Sequence, residues 1–198
     1  MKIGILGGTF NPVHNGHMYM AYESIDRLNL DKVYFLPNYI PPHKLSKDRN
    51  FKDSIDMIKL VINDNDKFYL SCYEIEKKEI SYTYETVQHF REIYPDDELY
   101  FLIGEDSYVE FSTWKRPETI LDCVTLVIFE RKFYNDDKRK KAHEFIKSFG
   151  KKEIILDSLT LEISSKDIRK RVKNEKNISF LVPEPVNRYI IDNELYKG

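Results

Sequence analysis

A chain of 198 residues with 41% hydrophobic and 32% charged residues has the make-up of a soluble globular protein with room for a substantial core. Its net charge of −2 gives no electrostatic footprint for a nucleic-acid polymer, and no apolar run approaches a membrane span. The glycine-broken start is too short for a signal peptide and the two cysteines are expected to stay reduced, so the protein is expected in the cytoplasm.

The first predicted element is a buried strand over residues 2–6, carried by Ile3-Gly4-Ile5-Leu6. It runs into Gly7-Gly8-Thr9-Phe10-Asn11-Pro12-Val13-His14-Asn15-Gly16-His17 and then an amphipathic helix over 18–28. A strand, a glycine turn and a helix start in that order suit an anion. Glycines let the backbone approach it, and N–H groups at the helix end face it. His14 and His17 add side-chain donors at the same place, which suits a nucleoside triphosphate. Helix capping stays open as the structural role of the pair, whereas a zinc site lacks the neighbouring Cys or acidic cluster it needs. The second strand, over 33–36, ends in Pro37-Asn38 rather than in an acid for a ribose. No G-x-G-x-x-G accompanies it, which disfavours a nicotinamide-dependent oxidoreductase.

Helical periods over 51–62, 83–93, 114–122 and 138–149 then alternate with strands over 68–72, 99–103, 125–129 and 153–156. Two helices, over 165–173 and 183–192, close the chain. This alternation predicts an α/β fold, a Rossmann-like open parallel sheet with helices on both faces, built as one domain over 1–198. Ligands bind such sheets beyond the carboxyl ends of the strands, where the strand order reverses. The loops over 7–17, 37–44 and 104–106 follow strands directly, so they are expected to converge on one edge.

Further motifs follow in order. Pro37-Asn38-Tyr39-Ile40-Pro41-Pro42-His43-Lys44 comes after the second strand, then Ser81-Tyr82-Thr83 with Glu85-Thr86-Val87. Gly104-Glu105-Asp106 with Trp114, Ile163-Ser164-Ser165-Lys166-Asp167-Ile168-Arg169 and Leu181-Val182-Pro183 complete the set. Together with the first glycine loop they resemble the nicotinate mononucleotide adenylyltransferases of the HxGH nucleotidyltransferase superfamily, over nearly the whole chain. The resemblance implies transfer of AMP from ATP to nicotinate mononucleotide, releasing pyrophosphate, in NAD biosynthesis. It also implies Mg²⁺ carried by the ATP phosphates, with no protein ligand. The same chemistry on nicotinamide mononucleotide or phosphopantetheine is the nearest alternative, and a non-catalytic adenylate-binding module the more distant one. The implied partners are small molecules, with neither nucleic acid nor membrane, and a homo-oligomer is left open.

The resemblance also assigns roles. His14 and His17 would contact the ATP phosphates, with His17 nearest the α-phosphate; Lys44 and Arg169 would complete the catalytic set. Gly8, Thr9 and Phe10 would supply backbone contacts, Gly104 and Asp106 the adenosine side, and Ser164 and Ser165 the outer phosphates, so the C-terminal helices from about 163–198 complete the ATP site. Asn38, Thr83, Trp114 and Arg131 would form the mononucleotide pocket, with Trp114 stacked on the pyridine ring. Three of these have a structural counterpart: Ser164-x-x-Asp167 as a capping box, Asp106 as a helix cap, Trp114 as a core anchor. Lys166 replaces the usual hydroxyl residue, and the segment over 75–80 lacks the usual arginine and glycine. Glu105 stands where relatives carry a small residue and is expected to face solvent. The runs Lys138-Arg139-Lys140-Lys141 and 170–176 are expected to be solvated helix faces.

Overall fold

The computed structural model describes residues 1–40, 51–63, 65–130, 136–157, 159 and 161–197. In chain order they form β1 (Lys2–Gly8), α1 (Asn15–Leu28), β2 (Lys32–Pro37), α2 (Phe51–Ile62), β3 (Phe68–Leu70), α3 (Tyr73–Lys77), α4 (Thr83–Ile93) and β4 (Glu98–Gly104). Then come α5 (Glu105–Val109), a 3-10 turn (Phe111–Thr113), α6 (Pro117–Cys123), β5 (Thr125–Phe129), α7 (Asp136–Ser148), β6 (Ile154–Leu156), α8 (Ser165–Lys173) and α9 (Glu184–Asp192).

The six strands make one parallel sheet in the order β3-β2-β1-β4-β5-β6. The chain therefore winds outward from β1 in one direction, returns, and winds outward from β4 in the other. The crevice between the ends of β1 and β4 is where such a sheet opens to a ligand. Both faces are covered, which explains why strands such as Leu126-Val127-Ile128-Phe129 are apolar throughout rather than alternating. Ile3 and Ile5, Phe101 and Ile128 point to a face closed by α4, α6 and α7. Leu6, Leu102, Val127 and Phe129 point to the opposite face, closed by Ala21 of α1, Met57 and Ile58 of α2, and Ile168 and Val186 from α8 and α9. Among the described residues no helix is long and apolar enough to cross a membrane.

The sequence-based boundaries shift where local turns take over. The strand expected over 68–72 stops at Leu70, because Cys72 caps the short α3. The helix expected from Trp114 begins at Pro117, since Arg116 turns left-handed with φ 53° just before it. Proline at the first helical position then starts α6 with its fixed φ.

Gly4 sits where β1 passes under α1. A Cβ there would lie 2.8 Å from Leu30 Cδ1 and 3.4 Å from Val33 Cγ2, both on fully buried residues. Gly4→Ala is expected to destabilise the protein by about 1–3 kcal/mol through overpacking. A urea midpoint equal to that of the wild type would show that the Leu30 methyl swings aside without cost.

Candidate active site

A cleft of about 870 Å³ opens at the carboxyl ends of β1 and β4, within the range of small-molecule sites. Its floor starts at Gly7 and Gly8, where β1 ends, and Thr9 continues the wall. A Cβ on Gly8 would come within 3.2 Å of the Phe10 ring, so any larger residue in this close turn would push on that ring. Phe10 itself takes a left-handed φ of 43°, and its ring is fully buried beside His17, at 4.8 Å between centroids. It therefore supports the cradle from beneath and does not line the cleft.

His14 ends the loop as the N-cap of α1. Its backbone N–H donates to His17 Nδ1 at 3.2 Å, and the two rings stack at 3.6 Å. The capping and ligand-facing roles of this pair are compatible, because an imidazole has two nitrogens. With Nδ1 accepting, the neutral ring carries its proton on Nε2, which becomes the donor available at the cleft. Burial, and then the His14 ring alongside, hold the His17 imidazole well below its ordinary range, so it is neutral at physiological pH. Both histidines line the cleft.

The start of α1 is less open to an anion than the sequence suggests. The Asn15 N–H donates to the Leu181 carbonyl at 2.9 Å, and Asn15 Nδ2 donates to the Phe180 carbonyl at 3.1 Å. The C-terminal segment thus seats the helix end and takes one of its amides.

The same segment grips the loop from the other side. Arg169 Nη1 donates to the Asn11 carbonyl at 2.6 Å, Ser165 Oγ to the Pro12 carbonyl at 2.9 Å, and Tyr196 OH to Asn11 Oδ1 at 2.6 Å. Ser164 is the N-cap of α8: its Oγ accepts from the Asp167 N–H at 3.1 Å and donates to Asp167 Oδ2 at 2.6 Å. Both serine hydroxyls therefore commit their protons inside the protein. Ser164, Ser165, Lys166 and Arg169 nonetheless line the same cleft as the histidines.

On the β4 side, Gly104 is the N-cap of α5, and Asp106 follows with an exposed side chain that lines the cleft. Asp106 is thus in the first turn and not the cap itself. Glu105 departs from expectation: it is 0% exposed, with Oε1 2.7 Å from Arg139 Nε. A buried carboxylate needs a cation close by, and α7 supplies one. By the same contact Arg139 is withdrawn from a run otherwise exposed as expected.

On the far side, Asn38, Thr83 and Trp114 line the cleft together. Trp114 also packs edge-on against Phe101, with centroids 6.2 Å apart, so it is core anchor and cleft wall at once. The turn before α4 is tied to the end of β2: Tyr39 N–H donates to Ser81 Oγ and Ser81 N–H to the Ile40 carbonyl, both at 2.9 Å. Glu74, which sequence reasoning missed, is buried in this wall and accepts from Thr86 Oγ1 at 2.5 Å. Burial pushes its carboxyl above the ordinary range. Lys115 was missed as well: its Nζ lies 3.9 Å above the Tyr82 ring at the cleft wall. Neither has a local sequence signal, since both are defined by partners on other elements. Lys44 and Arg131 lie outside the described residues. Among the described residues, no group of three or more His, Cys, Asp or Glu side chains is placed to hold a metal.

Residues 5–171 match the model of the cytidylyltransferase-like family. The chain is 42% identical over 200 residues to the probable nicotinate-nucleotide adenylyltransferase of Clostridium novyi (strain NT), covering 99% of each. It is 44% identical to the one of Clostridium botulinum (strain Eklund 17B / Type B), covering 99% of this chain and 98% of that protein. Among solved structures it resembles Plasmodium falciparum nicotinic acid mononucleotide adenylyltransferase complexed with NaAD, with a TM-score of 0.76 at 25% identity, over 98% of this chain and 97% of the other.

Proposed function

Since the chain belongs to the cytidylyltransferase-like family of nucleotidyltransferases, and its relatives are nicotinate-nucleotide adenylyltransferases, we propose that it transfers AMP from ATP to nicotinate mononucleotide. The products are nicotinate adenine dinucleotide and pyrophosphate. The observation that carries this reading is the meeting of His14, His17 and Arg169 in one cleft at the point where the strand order reverses.

The reaction needs no nucleophile from the protein. A phosphate oxygen of the mononucleotide, already anionic at neutral pH, attacks the α-phosphorus, and pyrophosphate leaves from the opposite side. The site must hold two mutually repelling anions in line, a task worth ~7–11 kcal/mol when the geometry is right. His17 meets the α-phosphate through Nε2–H as a neutral donor whose tautomer is fixed before substrate arrives. Arg169 and the first-turn amides of α8 take the outer phosphates, and the C-terminal helices thereby complete the ATP site. Asp106 receives the ribose hydroxyls. Trp114 stacks on the pyridine ring, and Thr83 at the start of α4 faces its carboxylate. Mg²⁺ would be carried by the ATP phosphates without a protein ligand, and when bound would supply neutralisation of their charge. We place the enzyme in the cytoplasm as one domain, with small molecules as its partners.

Pyrophosphate release from ATP and Mg²⁺ tests the reading, with nicotinate and nicotinamide mononucleotides run in parallel. Strong preference for the acid form is expected. Equal rates would overturn the assignment of the ring pocket, and no release with either would leave a nucleotide-binding module with another acceptor or none.

A further inference from the structure

We propose that Arg139 is a positioning residue for the nucleotide side of the cleft, holding the first turn of α5, and with it Asp106, against the end of β5. The inference rests on the reading of that side as the ATP site. From α7, Arg139 places Nε 2.7 Å from Glu105 Oε1 and Nη2 on the carboxylate of Glu130. Glu105 is fully buried next to Asp106, while Glu130 directly follows β5 and lines the cleft. One side chain thus ties the element that carries Asp106 to the neighbouring strand end.

A second tie runs parallel to the first. His143, one turn further along α7, lies 2.6 Å from Glu153, and Tyr108, one turn further along α5, donates to the same carboxylate oxygen at 2.8 Å. Lys138 Nζ adds a longer contact, 3.7 Å from Glu110 Oε1 at the end of α5. The short α5 is therefore aligned along α7 at several points, and its freedom to reorient Asp106 is small.

The charges give the arrangement a second consequence. Asp106, Glu110 and Glu130 line the cleft and Glu105 lies directly behind it, a poor setting for a polyanion. Arg139 offsets two of these four. The guanidinium fork suits the task because separate nitrogens meet separate carboxylates, which a lysine ammonium on a flexible stem cannot reproduce. Glu105 and Arg139 therefore form a unit: the acid is tolerated in the interior because the cation faces it.

Equilibrium titration of the full chain with ATP and Mg²⁺, and separately with nicotinate mononucleotide, tests the proposal. Arg139→Met is expected to weaken ATP about ten-fold and to leave the mononucleotide within about two-fold. Adding Glu105→Gln to that variant removes the buried negative charge that Arg139 faced and is expected to bring ATP back to within about three-fold of wild type. Arg139→Lys keeps the charge but not the fork, with an expected loss of about three-fold. Should Arg139→Met fail to fold, the lysine variant and the double variant carry the comparison. Wild-type ATP affinity in Arg139→Lys and in whichever methionine variant folds would overturn the proposal. So would equal losses for both ligands, the mark of a merely structural role. A wild-type protein that binds ATP but releases no pyrophosphate would sink the proposed reaction alone, since the clamp is read from ATP binding.

Discussion

His17→Ala is expected to lower turnover by about 10²–10³, the usual loss when one preorganised donor to a developing charge is removed. The geometry makes the loss specific. His14 N–H fixes Nδ1 as the acceptor, so the ring presents Nε2–H to the cleft without a tautomer change or reorientation at the moment of reaction. The folded value of the His17 pKa lies below its ordinary 6.5, because burial and the His14 ring disfavour the cation. The neutral ring is therefore already the donor, and turnover should not rise between pH 8 and 6.5 through His17. Stability follows the same sign: the contribution of the neutral ring is fully present above about pH 6.5 and is lost as pH falls below it, because the unfolded chain then binds the proton first. Wild type should accordingly lose more stability than His17→Asn between pH 7.5 and 5.5, measured as urea midpoints. Steady-state kinetics of folded His17→Ala decide the main point, and near-normal turnover would leave the residue as a helix cap only.

The strands were legible because burial on both faces of a parallel sheet writes itself as continuous apolar runs, as in Leu99 to Ile103 and Thr125 to Phe129. The glycine loop was legible for a related reason: Gly8 packs closely against a ring two residues along the chain, a local constraint that leaves a local mark. What stayed hidden depends on partners far away in sequence. Glu105 reads as a surface residue until Arg139, thirty-four positions later, is seen beside it. The hydroxyls of Ser164 and Ser165 look available for phosphate until Asp167 and the Pro12 carbonyl are seen to accept their protons. The short α3 and α5 span only five residues each, too few for a helical period to show. Sequence reasoning thus anticipated which loops meet at the cleft and was weakest where side chains from separate elements neutralise one another.

Arg169→Met should cost about 10–150-fold in kcat/KM for ATP, corresponding to the ~1.5–3 kcal/mol typical of hydrogen bonds to charged groups. Arg169 does two things at once in this fold. Nη1 is fixed on the Asn11 carbonyl at 2.6 Å, which docks α8 on the first loop, and the side chain lines the same cleft as His14 and His17. Because the anchor immobilises the fork, little rotamer freedom is lost if its other nitrogens meet the outer phosphates. Arg169→Lys separates the two tasks. A single ammonium cannot hold the Asn11 carbonyl and meet a phosphate in the same geometry, so the lysine variant is expected to recover less than half of the lost free energy. If pyrophosphate gathers charge as it leaves, the loss falls mainly on kcat, whereas equal contact with bound ATP and with the transition state would place it in KM. A variant with normal kcat/KM and a lowered thermal midpoint would make Arg169 a strut between α8 and the loop. Among the described residues, the phosphates would then depend on His14, His17 and the first turn of α8.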